Sequence, residues 1–157
     1  MWISITALFV SILSLGLTAF KIWTDHKENL LNISVHLKNH YTAQGRHIIE
    51  VNFVNNTKNV VSITKVTLVN EKHHFTSKEN SVLLTETKHI RNESTPLPIN
   101  LNSYSSTKAF IVFDTKYKID DCIFKIFTSK GICFTEQKMK VLKEQRLLNL
   151  AQLRINK

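Results

Sequence analysis

Histidine and cysteine are the residue types whose spacing in this chain could support metal binding or nucleophilic catalysis. None of the histidines belongs to a His-Glu-x-x-His pattern, and none accompanies paired Cys-x-x-Cys motifs. On a strand, His36 and His40 would lie about 13 Å apart, at about 3.3 Å per residue. The spacing therefore predicts solvated surface histidines, with no metal site and no cofactor. The seven residues concerned are His26, His36, His40, His47, His73, His74 and His89.

The two cysteines, Cys122 and Cys133, are predicted to be reduced thiols. CIFKIF and ICF flank the turn sequence TSKG, so they form a hairpin in which Phe127 faces Ile132 and Cys133 lies opposite Ile126. Cys122 then lies about 13 Å farther along its strand. A disulfide requires Cα atoms within about 7 Å of each other.

The sequence contains no residue pattern that is typical of an enzyme. Gly-rich phosphate loops, a Gly-x-Ser-x-Gly elbow and paired acidic motifs are absent from it, and the chain has 3 glycines in all. Asp114, Asp120 and Asp121 lie around an expected turn, where Asp commonly hydrogen-bonds the backbone. We therefore expect a protein that binds and does not catalyse.

Positive charge is the remaining chemical signal. Lys and Arg total 21 against 12 acidic residues, a formal net charge of +9, which favours polyanions such as lipid headgroups, teichoic-type polymers or nucleic acid. The lysines are scattered over most predicted strands and are not gathered with aromatic residues. The pattern predicts no specific nucleic-acid site and singles out no binding surface.

The first twenty residues carry no charged side chain. A lone segment that crosses hydrocarbon must be a helix of roughly 20 apolar residues, because its backbone has to satisfy its own hydrogen bonds. Hydroxyl side chains are tolerated there, since they bond back to a carbonyl one turn earlier. We predict a transmembrane anchor over 1–22 and a juxtamembrane connector over 23–29. The anchor residues are Trp2, Ile3, Ile5, Leu8, Phe9, Val10, Ile12, Leu13, Leu15, Leu17, Phe20 and Trp23.

A cleaved signal peptide and a buried helix are the alternatives to this anchor. A signal peptide normally has a basic leading segment and a small-x-small cleavage site. Here nothing basic precedes the apolar segment, and small-x-small is poorly met around Thr18, Ala19 and Phe20. Lys21, Lys27 and Lys38 follow the apolar segment, so the positive-inside rule puts the large domain in the cytoplasm of a single-pass cell-membrane protein. Small residues such as Gly16 and Ala19 leave a homodimer through the anchor open.

Short β-branched runs dominate the region 30–141 and predict one β-domain. LLNISVHL and HIIEVNFVNN each alternate apolar and polar residues, as a half-buried strand does. In VVSITKVTLVN the alternation slips between Ile63 and Val66, as a β-bulge would produce. NNTKN suits a hairpin connection. NESTPLPIN is predicted to be irregular, because its prolines exclude a central strand there. SVLLTETKHI, KAFIVFD, CIFKIF and ICFTEQKMKV complete about seven strands.

This pattern predicts a mainly β fold: an N-terminal transmembrane helix, an immunoglobulin-like antiparallel β-sandwich and a short C-terminal helix. The C-terminal element, over 142–157, is LKEQRLLNLAQLRINK. It has helix-forming residues, no β-branched run and an apolar side that includes Leu147 and Ala151. It either packs on the sandwich or lies on anionic lipid as a basic amphipathic helix.

The MWISITALFVSILSLGLTAFKIW anchor, followed by one Asn- and Lys-rich β-domain, resembles the superinfection-exclusion proteins of lactococcal prophages. The resemblance covers the layout of the whole chain. It implies a membrane-held protein that blocks DNA injection by related phages without stopping adsorption, and it supplies no catalytic residues.

Two functions of different classes remain at this point. In the first, the anchored domain binds a membrane or phage injection protein and confers phage resistance. High local concentration beside the bilayer would let modest affinity suffice. In the second, the chain is an accessory subunit of an envelope protein with no defence role.

Overall fold

The structure, a computed structural model, describes residues 2–43, 45–86 and 91–146. The chain divides into two compact units between Leu31 and Asn32. The first unit contains the helix α1, Trp2–Asn29, and the second is a β-domain. Its strands are β1 Ile33–Ala43, β2 Arg46–Asn55, β3 Val61–Val69, β4 His74–Thr76, β5 Leu83–Glu86, β6 Arg91–Glu93, β7 Ile99–Leu101, β8 Ser106–Asp114, β9 Ile123–Thr128, β10 Gly131–Phe134 and β11 Glu144–Arg146.

Helix α1 includes both the predicted anchor and the predicted connector. Its window Ile5–Lys27 has a mean hydropathy of 1.9 and is long and apolar enough to cross a membrane. At 1.5 Å per residue these 23 residues extend about 34 Å, slightly more than the roughly 30 Å of a hydrocarbon core. The Ser11 and Thr18 hydroxyls donate to the carbonyls of Ala7 and Ser14 at 2.9 and 2.8 Å, as predicted.

The β-domain consists of two main sheets and a small hairpin. The first sheet has the order β11-β1-β2-β8, and the second joins β10-β9-β3-β4, with β7 also paired to β3. β5 and β6 form the separate hairpin. All these pairs are antiparallel except β1 with β11, which is parallel.

One hydrophobic core lies between the two main sheets. The first sheet contributes Ile49, Val51 and Phe53 of the predicted second strand, all fully buried. The second sheet contributes Val66 and Leu68, also fully buried. The register of β3 with β9 shifts between Ile63 and Lys65, which confirms the predicted bulge. Such an inward-facing set from each sheet is the main source of stability in β-domains.

A second, smaller core lies on the other face of the first sheet. Its members are Ala43, Ile48, Leu84, Phe110 and Val112, with Tyr41 packed against them. Leu84 belongs to the β5–β6 hairpin, so that hairpin covers this face. The amides of Lys78 and Thr95, which flank the hairpin, donate to the carbonyls of Val112 and Phe110 on β8. Sequence periodicity did not predict this second core.

Three sequence predictions about connections are wrong. NNTKN does not close a hairpin, because β2 and β3 lie in different sheets. The fully buried Asn55 holds this crossing, and its Nδ2 donates to the carbonyls of Asn59 and Asn102 at 2.8 and 2.9 Å. The last long strand ends at Phe134, and a short 3-10 helix follows at Met139–Val141. NESTPLPIN, predicted to be irregular, contributes β6 and the start of β7.

The predicted C-terminal helix over 142–157 is wrong for its described part. Glu144–Arg146 forms β11 and pairs in register with His40, Tyr41 and Thr42 of β1. The Thr42 hydroxyl also donates to the Glu144 carboxylate at 2.8 Å. Pairing with an open strand edge satisfies backbone groups through tertiary contact, which overrides local helix propensity. Residues 147–157 lie outside the described residues.

Candidate functional site

The predicted anchor residues all lie in α1. From Ile5 onward the described ones are more than half exposed, from 52% at Leu13 to 75% at Leu15. Trp2 and Ile3 belong to α1, outside the residues whose side chains are described. Trp23 is also exposed and lies near Phe20 and Lys27, whose Nζ is 5.5 Å from its ring centroid. An exposed apolar surface of this kind is typical of a site of contact with a membrane or another protein.

Two of the seven histidines form a buried pair, which corrects the prediction that all are solvated. His40 and His47 are 1% and 9% exposed, and Nε2 of His40 lies 2.9 Å from Nδ1 of His47. The rings are stacked with centroids 5.1 Å apart. A register shift between Leu37 and Asn39 rephases β1, so that His40 faces the core. Because β1 pairs with β2, His47 then lies diagonally across from it.

Burial favours the neutral form of both imidazoles. It lowers the pKa of His40 below its ordinary value, and the neighbouring His47 lowers it further, against the pull of Glu144 and Asp120. Burial also lowers the pKa of His47, although its hydrogen bond to the backbone of Tyr117 and the same two carboxylates oppose this. Nδ1 of His47 faces His40, so Nε2 of His47 is the nitrogen that donates to the backbone of Tyr117. Nδ1 of His47 is then an acceptor, and Nε2 of His40 is the donor within the pair.

The surroundings of the pair do not form a recognisable catalytic or metal centre. Within the described ranges, no three His, Cys, Asp or Glu residues are grouped to hold a metal ion. A cavity of about 320 Å³ beside His47 is lined by charges of both signs, among them Arg46, Lys118, Asp120 and Glu144. Neither imidazole pairs with a hydroxyl or thiol in the described part of the chain, the contact that activates a nucleophile.

The described histidines outside this pair are exposed. His26 is in α1, while His36, His73 and His74 are exposed on the β-domain. His73 stacks on Phe75 and Tyr117, with ring centroids 5.8 and 5.3 Å away. His89 lies outside the described residues.

Both cysteines are free, in the hairpin register that the sequence predicted. Ile132 pairs with Phe127, and Cys133 pairs with Ile126. Burial raises the pKa of both thiols. Thiols of this kind are poorly reactive, because the thiolate is the nucleophile.

The outer side of the second sheet brings two of the scattered lysines together with aromatic side chains on one surface, a grouping that the sequence did not predict. We define the lysine–aromatic face as Lys65 on β3, Lys125 and Phe127 on β9, and Ile132 and Phe134 on β10. Lys125 Nζ lies 5.1 Å from the Phe127 ring centroid and 5.6 Å from that of Phe134. The period-two spacing within β9 and β10 was the available signal. That spacing does not show that Lys65 joins the same face, because this depends on how β3 pairs with β9.

Comparison with protein-family models finds no match to this chain, and comparison with curated proteins finds none either.

Proposed function

We propose that this chain is a single-pass membrane protein whose β-domain acts by binding. The observation that carries the proposal is α1, whose described apolar side chains are exposed along a length that suits a bilayer. Only Leu30, Leu31 and Asn32 lie between α1 and β1. Three residues extend at most about 11 Å, so an inserted helix would keep the β-domain in a thin layer beside the membrane.

We further propose that the β-domain is an immunoglobulin-like sandwich. Its support is the strand order, since the first, second and eighth strands are neighbours in one sheet, and the third, ninth and tenth in the other. The same alternation between sheets characterises immunoglobulin-like domains. Domains of this kind commonly bind through surface strands and loops while a rigid core holds their shape.

The specific role we propose is superinfection exclusion, as the resemblance to prophage proteins implies. In this role the domain occupies a membrane or phage injection component and blocks incoming DNA. Confinement beside the bilayer raises the effective concentration for such a target, so weak contacts suffice. Lys21, Lys27 and Lys38 favour a cytoplasmic domain by the positive-inside rule.

Alkaline carbonate washing tests the anchor. We expect the intact chain to stay in the membrane pellet, and the Leu8→Arg/Leu13→Arg variant to be released, because each Arg at a helix centre disfavours insertion by about 3 kcal/mol. Leu8→Ile/Leu13→Ile is the matched control and should stay in the pellet. Release of the unaltered chain would overturn the proposal.

Phage infection tests the exclusion role. In a sensitive host that expresses the chain, we expect normal adsorption and at least a tenfold drop in intracellular phage DNA. The Leu8→Arg/Leu13→Arg variant should restore DNA delivery. Unchanged delivery with the anchored chain would remove this role. A partner that copurifies at fixed stoichiometry from uninfected cells would then point to an accessory envelope subunit.

A further inference from the structure

The lysine–aromatic face combines exposed apolar side chains with stacked cations. Ile132 and Phe134 on β10 are 49% and 55% exposed. Lys65 Nζ lies 5.8 Å from the Phe127 ring centroid, and Lys125 lies over both aromatic rings. The register explains the grouping, because Phe127 pairs with both Lys65 and Ile132. Long cationic side chains lying over apolar surface keep their charged ends available to an anionic ligand.

The lysines of this face have no carboxylate partner among the described residues, whereas some cations on and beside the first sheet do. There, Lys108 contacts Glu50 at 2.8 Å, and Arg46 and Lys78 both contact Asp114, at 2.9 and 3.0 Å. The strand positions on the outer side of β3, β4, β9 and β10 carry no acidic residue. The hairpin tip between β9 and β10 adds a further exposed cation, Lys130.

We propose that the lysine–aromatic face docks on the anionic headgroup surface of the bilayer that holds α1, an inference that rests on the membrane anchor proposed above. Exposed apolar side chains flanked by cations suit the interface between headgroups and acyl chains. The occupant is anionic lipid because the face is cationic and the short connection at Leu30–Asn32 keeps the domain beside the membrane. Docking adds a second attachment to the anchor and limits the orientations in which the domain meets its target.

Fluorescence of the full chain, reconstituted in vesicles, tests the docking. The two tryptophans, Trp2 and Trp23, both lie in α1, so a Trp2→Phe/Trp23→Phe background is dark. Phe134→Trp then reports on the face, and Tyr117→Trp, at an exposed aromatic position away from the face, is the matched control. The vesicles contain lipids brominated near the glycerol, which quench the fluorescence of a nearby tryptophan. They consist either of phosphatidylcholine alone or of phosphatidylcholine with about one third phosphatidylglycerol.

Docking predicts that the F134W fluorescence is quenched at least twofold more in phosphatidylglycerol vesicles than in phosphatidylcholine vesicles, and that the Y117W fluorescence is not. Lys65→Gln/Lys125→Gln should remove the difference, because each basic residue near an anionic surface contributes about fivefold to partitioning. Lys72→Gln/Lys118→Gln, which changes two exposed lysines outside the face, should preserve it.

The failures of the two proposals are distinguishable by vesicle flotation. A chain that floats with vesicles but shows equal F134W quenching in both lipids retains the anchor and overturns the docking proposal. A chain that does not float overturns the anchor itself. If the F134W fluorescence does not change with phosphatidylglycerol but shifts on addition of polyglutamate, the face binds an acidic protein segment. This result would also overturn the docking proposal.

Discussion

At the scale of single residues, the buried His40–His47 pair makes stability depend on pH. Their folded pKa values are lowered below the ordinary value of 6.5, chiefly by burial. The unfolded chain therefore binds protons before the folded chain does. The contribution to stability is complete above about pH 6.5 and is lost as the pH falls toward the folded pKa values.

We expect the free energy of unfolding of the detergent-solubilised chain to fall between pH 7 and pH 5, by at most about 1.4 kcal/mol per pH unit for each extra proton. His40→Gln retains an N–H donor for His47 and should weaken this dependence, whereas His36→Gln, at an exposed position of β1, should not. Urea titration followed by circular dichroism measures both. Equal pH dependence in all three proteins would contradict the assignment to the pair.

Two buried threonines differ in how their hydroxyls are satisfied. Thr135 Oγ1 accepts from the Phe124 amide at 3.0 Å and donates to the Gln137 carbonyl at 3.1 Å. Among the described residues, the buried hydroxyl of Thr67 has no hydrogen-bond partner. We expect Thr135→Val to destabilise the domain by about 1–3 kcal/mol, and Thr67→Val to leave stability unchanged or raise it by up to about 1 kcal/mol. The difference in urea midpoint measures this, and equal losses would show that the Thr67 hydroxyl is bonded in solution.

At the scale of elements, the crossing from β2 to β3 depends on Asn55. Its Oδ1 accepts from the amide and hydroxyl of Thr57 at 3.0 and 2.8 Å, while its Nδ2 bonds the carbonyls that end the β7 edge. One side chain of the first sheet thus satisfies backbone groups of the β2–β3 connection and at the end of β7 in the second sheet.

Replacing this side chain should destabilise the whole domain. We expect Asn55→Ala to lower the free energy of unfolding by more than about 2 kcal/mol, since several buried groups lose their partners. Asn56→Ala is the neighbouring control. Its exposed side chain bonds Ser34 and Asn32, so a change within about 0.5 kcal/mol is expected. Similar losses in the two variants would contradict a specific role for Asn55.

Elements also differ in how far the sequence predicted them. β2, β8 and the β9–β10 hairpin follow the predicted runs, because each is a β-branched or aromatic run bounded by turn residues. β11 was predicted as helix, because its EQR sequence favours a helix and its strand pairing depends on β1, about a hundred residues earlier. Local propensity carries no information about so distant a partner.

At the scale of the whole molecule, the net charge of +9 is distributed unevenly. Carboxylates pair with Arg46, Lys78 and Lys108 of the first sheet and its flanks. On the second sheet, Lys65 and Lys125 lie over aromatic rings. A polyanion that reaches the lysine–aromatic face would therefore meet cations that no carboxylate on the described strands of that face neutralises. The cytoplasmic orientation stays a prediction.

The apolar helix and the inward-facing residues of the main strands can be predicted from the amino-acid sequence, because both depend on periodicity within one segment. The contact between His40 and His47 depends instead on tertiary structure, since a bulge in β1 rephases the strand and β2 supplies the partner. Tertiary structure also gathers Lys65 with Phe127 and Phe134 on one face. These groupings arise from pairing between distant strands, and composition or spacing along one strand does not encode that pairing.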